Sequence, residues 1–230
     1  AYIEEVLKEG ETLGFDGRVV SVGEGEGYAA IAGKKNAKVN YQVDLIDEIW
    51  EDRPVLSEEP AFNLDVKYAG ETVASKLARI REEMKEAGTN VHVVSTIDDI
   101  CWTLNIRGND IDFFPLVLSY GIITMDSFEL YIDEKKLDDK LKAKLAKDGV
   151  NLHPYNDIYE DVKKFGSDVV AMIDPGKLNY ALFNNIPKNV KTVEKRNPAI
   201  LMKAIKNPVE IENIRKAQIK DSVAHVRFMK

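Results

Sequence analysis

Cysteine is nearly missing from this sequence: Cys101 stands alone in 230 residues. No internal disulfide can form, so the fold must rest on its core, and a reducing compartment such as the cytoplasm is the natural setting. Histidine is almost as scarce. His92, His153 and His225 lie far apart, and none has a second ligand at the spacing of a helical zinc site. No apolar run approaches the roughly 20 residues that a membrane-spanning helix needs. Charge of one sign is also lacking, because 39 acids and 32 bases are interspersed to a formal net charge of -7. With no basic stripe, neither nucleic acid nor an anionic membrane is an expected partner. What the chain does have is 44% hydrophobic residues, enough for one large domain or two small ones.

Those residues are patterned. Val73, Leu77, Ile80 and Met84 form one stripe of a helix within Glu71 to Gly88, and Gly88 supplies a C-terminal stop. Val91, Val93 and Val94 predict a short strand. Thr96 and Asp99 then make a capping-box-like start for a helix carrying Ile97, Ile100, Cys101 and Leu104. In that helix Asp98 and Asp99 occupy the first turn, where the helix dipole favours negative charge. After the turn residues Gly108, Asn109 and Asp110, Leu116 to Ile123 reads as a buried strand and Phe128, Leu130 and Ile132 as its hairpin partner. Leu137, Leu141 and Leu145 mark another helix. A helix over Asp157 to Phe165, a strand over Val169 to Ile173, a helical piece from Lys177 to Asn185 and a strand near Val190 follow. Helices and strands interleaved at this density predict an α/β layer fold with a mixed sheet.

Before this block, Leu13 to Phe15 and Val39 to Val43 read as strands around a helical segment through Tyr28 and Ile31, and "EDRPVLSEEP" reads as a linker. Near the other end, Asn207, Pro208 and Glu210 open a helix. It meets no glycine or proline before Lys230. That helix, together with Ala1 in place of an initiator methionine, gives the expectation of a piece cut from a longer protein.

Candidate chemistry is sparse. "GEGEGY", Gly23 to Tyr28, lacks the spacing and the lysine of phosphate-binding loops, and Glu24 and Glu26 would repel a phosphate. It reads as a surface loop. Cys101 shares an apolar face with Ile97, Ile100 and Leu104, which suits an inert buried thiol. Arg107, beside Gly108, can offer a fork of donors to a carboxylate such as a peptide terminus. Equally, it can order its own loop by pairing with Asp110 or Asp112. Trp102 reads as core or as a substrate platform, core being the simpler role.

Three stretches carry a family resemblance: "STIDDICWTLNIRGNDIDFFPLVLSYGIIT", "VDLIDEIWEDRP" and "AIKNPVEIENIRKAQIKDSVAHVRFM". In this order they resemble the middle domain, the end of the first domain and the first catalytic-domain helix of the cytoplasmic three-domain Xaa-Pro aminopeptidases. The resemblance implies a creatinase N-terminal-type domain over 55–203. Part of a similar domain would precede it over 1–54, and the start of a pita-bread catalytic domain would occupy 204–230. It further implies a parent hydrolase that removes the residue before proline with two divalent metals, commonly manganese, and whose N-terminal domains wall the cleft and support a homodimer. By the resemblance all five metal ligands lie beyond Lys230, so no metal or catalytic residue is assigned here, and no cofactor belongs to this stretch. Trp102, Arg107 and Asp110 match a loop facing the cleft and are the substrate-cleft candidates. Phe114 departs from the family pattern, which has asparagine before the proline at this position. The alternative expectation is a stand-alone, non-catalytic binding module of the same fold.

Overall fold

The structure is a computed structural model that describes residues 2–230; Ala1 lies outside the described residues. The first unit runs α1 (Tyr2–Val6), β1 (Thr12–Gly14), α2 (Val22–Lys34) and β2 (Lys38–Asn40), with β1 and β2 parallel. Residues 51–60, the expected linker, hold no helix or strand.

The larger unit contributes β3 (Phe62–Asn63), α3 (Val66–Ala69), α4 (Val73–Glu86), β4 (Val91–Val94), α5 (Ile97–Leu104) and β5 (Ile106–Arg107). It continues with β6 (Tyr120–Thr124), β7 (Phe128–Tyr131), α6 (Asp139–Lys147), β8 (Val150–His153), α7 (Ile158–Asp161), β9 (Val170–Ile173), α8 (Tyr180–Asn185), β10 (Lys191–Glu194) and α9 (Pro198–Ala204). The long helix α10 (Pro208–Met229) comes last. Six strands form one sheet in the order β10-β9-β4-β6-β7-β8. β6 runs antiparallel to both neighbours, while β10, β9 and β4 are parallel to one another, as are β7 and β8. The mixed α/β sheet read from the sequence is therefore present.

Each sheet face has its own core. Val73, Leu77, Ile80 and Met84 of α4 pack with Ile100 and Leu104 of α5 and with Leu141 and Leu145 of α6 on one side. Ile158 and Tyr159 of α7, Leu178 and Leu182 around α8, and Val22 of α2 cover the other. Burying each large aliphatic side chain contributes roughly 1.5–3 kcal/mol, so the four-residue stripe of α4 is a substantial anchor of its layer.

Three local expectations fail. Thr96 starts α5 without a side-chain cap bond, its hydroxyl donating instead to Asp99 Oδ2 at 2.7 Å. "GEGEGY" is not a loop but the body of α2: the Ser21 hydroxyl accepts from Glu24 N–H at 3.3 Å while the Glu24 carboxylate accepts from Ser21 N–H at 3.2 Å, a capping box. Gly25 is there for close packing, since a Cβ would sit 2.2 Å from the Tyr180 ring of α8. Similarly, the strand expected from Leu116 begins only at Tyr120. The preceding N–H groups are diverted: Val117 donates to Cys101 Sγ at 3.3 Å and Leu118 to Asp110 Oδ2 at 2.6 Å, so no ladder forms there. Strand β8 and helix α9, absent from the sequence reading, complete the sheet edge and the α4–α5 layer.

Candidate functional site

Helix α5 stops at Asn105, whose backbone is left-handed (φ 52°, ψ 39°), a conformation asparagine tolerates better than most residues. Its side chain then works in two directions. Nδ2 donates to the Glu71 carbonyl at 2.9 Å, and Oδ1 accepts from the Lys76 ammonium at 2.7 Å. Lys76 also donates to the Trp102 carbonyl at 2.7 Å and stands 4.3 Å over the Trp102 ring. Lys76 is 1% exposed, and that burial pushes its pKa down to about 8 against the pull of Glu71 and Glu210.

Trp102 is thus a buried wall residue. Arg107, in β5, bonds inward: its guanidinium donates to the carbonyls of Cys101 at 2.7 Å and Ile106 at 2.8 Å. Neither expected carboxylate partner meets it. Asp110 pairs instead with Lys136, which sits before α6 in the chain, at 2.6 Å, with side-chain exposures of 1% and 3%. Cys101 is buried, and burial raises its thiol to about 11, so it is a packing residue without thiolate character.

The three candidates therefore share one region, in which Arg107 and Asp110 direct their bonded polar atoms into the protein and Trp102 is buried. What they anchor faces out. Between Asp110 and Pro115 the loop exposes Ile111, Phe113 and Phe114, and Phe113 is fully exposed at φ +67°, a sparsely populated backbone for an aromatic residue. Gly108 fixes the base of this loop, because a Cβ there would lie 2.7 Å from Val117 Cγ2. Lys76 and Lys136 escaped sequence reasoning; only the structure shows that these lysines are core residues.

A second polar cluster spans α5 and α9. His92 Nδ1 lies 3.1 Å from the Met172 carbonyl and Nε2 3.2 Å from Asn197 Oδ1. Burial lowers the pKa of the ring. Asn197 Nδ2 donates to Asp99 Oδ2 at 2.9 Å, and the Lys203 ammonium donates to Asp99 Oδ1 at 2.6 Å and to Asp98. Elsewhere His153 meets Glu129 at 2.6 Å, and His225 lies on α10. Among the described residues no group of three or more His, Cys, Asp or Glu side chains is placed to hold a metal ion. A two-metal centre does not fit the donors present.

Residues 52–210 match the family model of the Creatinase/Prolidase N-terminal domain. A probable Xaa-Pro aminopeptidase P of Sordaria macrospora is 34% identical over 238 residues, covering 95% of this chain and 38% of that protein. The Xaa-Pro aminopeptidase 1 of Dictyostelium discoideum is 35% identical, over 97% of this chain and 37% of its own length. In three dimensions, the crystal structure of X-prolyl aminopeptidase from Caenorhabditis elegans, reported as a cytosolic enzyme with a di-nuclear active site, superposes with a TM-score of 0.93 at 30% identity. That superposition covers 99% of this chain and 38% of the worm chain. The chain thus spans under two fifths of the length of these relatives.

Proposed function

This chain belongs to the creatinase/prolidase N-terminal domain family, and from that membership we propose that it is the non-catalytic N-terminal portion of a Xaa-Pro aminopeptidase. The parent would remove an N-terminal residue preceding proline by hydrolysis at two divalent metals, manganese being the expected ion. Metal ions in such a centre would activate water and polarise the scissile carbonyl; this chain's residues supply neither ion with ligands. Its own part is to shape the cleft and to support a homodimer in the cytoplasm.

The observation that carries this reading is the 0.93 TM-score across 99% of the chain against only 38% of a di-nuclear enzyme. The proposed division is 1–54 as the end of a first creatinase-like domain, 55–203 as a second, and 204–230 as the linker and first helix of the catalytic domain. Trp102, Arg107 and Asp110 serve as positioning residues. They hold the loop that carries Phe113 and Phe114, and that loop, rather than the side chains of buried Trp102, part-buried Arg107 and the paired Asp110, presents a surface to a peptide.

The test is to express the complete reading frame beside the 230-residue chain. With manganese, the complete product is expected to release the first residue of Xaa-Pro peptides and to sediment as a dimer. A complete product that binds peptides but never cleaves them would replace this reading with a stand-alone binding module.

A further inference from the structure

We infer that the crevice outside the carboxyl ends of β4 and β9 is a binding site for a small, singly charged carboxylate. β4 and β9 are parallel neighbours. The chain leaving β4 enters α5, whose Ile100 and Leu104 lie in the core on one face of the sheet, whereas the chain leaving β9 enters α8, with Leu178 and Leu182 in the core on the other. Adjacent parallel strands whose connections part in this way open a gap at their carboxyl ends, which is where open α/β sheets take ligands. A cleft of about 320 Å³ lies there, lined by Ser95 and Lys177 from the two connections and by Arg18 and Glu24 from the first unit.

The charges of the lining name the ligand. Arg18 and Lys177 are its cations and Glu24 is its sole carboxylate, so two charges against one leave the cleft net positive. Neither cation forms an ion pair among the described residues. Arg18 is nonetheless held, its guanidinium carbon standing 4.9 Å from the centre of the Tyr159 ring. That ring is itself fixed, because the Tyr159 hydroxyl accepts from Asn179 Nδ2 at 3.0 Å and meets the Tyr120 hydroxyl at 3.1 Å. Contact with a ring leaves the guanidinium fork of N–H donors open, the shape that takes both oxygens of a carboxylate. Lys177 is fixed through its backbone, whose N–H donates to the Asp174 carbonyl at 2.9 Å and whose carbonyl accepts from the Ser95 hydroxyl at 2.9 Å. Glu24 turns to its own helix start, its Oε2 accepting from the Ser21 N–H at 3.2 Å and the Ser21 hydroxyl at 2.8 Å. Its charge still opposes a doubly charged anion such as phosphate. One carboxylate between Arg18 and Lys177 neutralises the surplus.

A free small acid and the carboxyl terminus of a peptide share this chemistry, so the experiment carries both. The 230-residue chain, labelled with nitrogen-15, is titrated at neutral pH and low salt with glycolate, with N-acetylglycine, with inorganic phosphate, and with N-acetylglycinamide as a neutral analogue. Saturable shifts of the Ser95, Gly176 and Lys177 amides are expected with a carboxylate and not with the neutral amide. Shifts with glycolate assign a free small acid, and shifts with N-acetylglycine alone assign a peptide terminus. Arg18→Gln and Lys177→Gln change exposed side chains, so both variants are expected to fold, and each is expected to weaken binding by roughly fivefold. The inference is overturned by no saturable shift with either carboxylate, by an equal response to the neutral amide, by tighter binding of phosphate, or by an affinity that both variants leave unchanged.

Discussion

The Lys76 ammonium rests 4.3 Å above the Trp102 ring and donates a 2.7 Å hydrogen bond to the carbonyl of that same residue. One buried cation thereby ties α4 to the end of α5 and, through Asn105, to Glu71. Lys76 sheds its proton near pH 8 in the fold but only near 10.5 when unfolded. Between those values the unfolded chain holds more protons, so stability rises with pH through this window, by at most about 3 kcal/mol from this group. Urea unfolding of the chain and of Lys76→Met at pH 7.5 and pH 10 isolates the effect. The variant is expected to lose this increment, and identical pH slopes would remove Lys76 as its source.

Lys136 and Asp110 form a buried pair, and breaking one side leaves the other charge stranded. Lys136→Met is expected to cost about 3–5 kcal/mol. The double variant Lys136→Met, Asp110→Asn is expected to recover a large share of that loss, because no uncompensated charge remains. Urea midpoints of the unchanged chain, of Lys136→Met, of Asp110→Asn and of the double variant check this, and strict additivity of the two single losses would show that the pair does not interact.

Two glycines should respond in opposite ways. Gly108→Ala forces a methyl to 2.7 Å from buried Val117 and should destabilise by about 1–3 kcal/mol. Gly27 lies inside α2, and no atom comes within 4 Å of the place an added methyl would take, so Gly27→Ala should stabilise by roughly 0.5–1 kcal/mol. Thermal or urea unfolding decides both.

Cys101 should resist thiol reagents. With its pKa near 11, on the order of one thiol in a thousand is ionised at pH 8, and the sulfur is buried besides. Labelling by a thiol-reactive dye is expected only in denaturant. Rapid labelling of the folded chain would contradict the burial.

Where periodicity decided the structure, the sequence was readable. The stripe of α4, the valines of β4, the hairpin of β6 and β7, and the inert setting of Cys101 all follow from local spacing. Distant partners decided the rest. "GEGEGY" reads as a loop because glycine is a poor helix former, and only the approach of Tyr180, far along the chain, explains why Gly25 sits in a helix. Lysine in an amphipathic pattern reads as a solvated face, so nothing local marks Lys76 or Lys136 as core. Arg107 and Asp110 are close in sequence and of opposite charge, yet each is claimed by a different part of the fold.

The proposed division of labour between this chain and the sequence its relatives carry beyond it is tested most directly by activity. The purified 230-residue chain is incubated with manganese and Xaa-Pro peptides, and free N-terminal residues are measured. No release above the metal-only control is predicted. Manganese-dependent release that survives repurification of the chain would contradict the account.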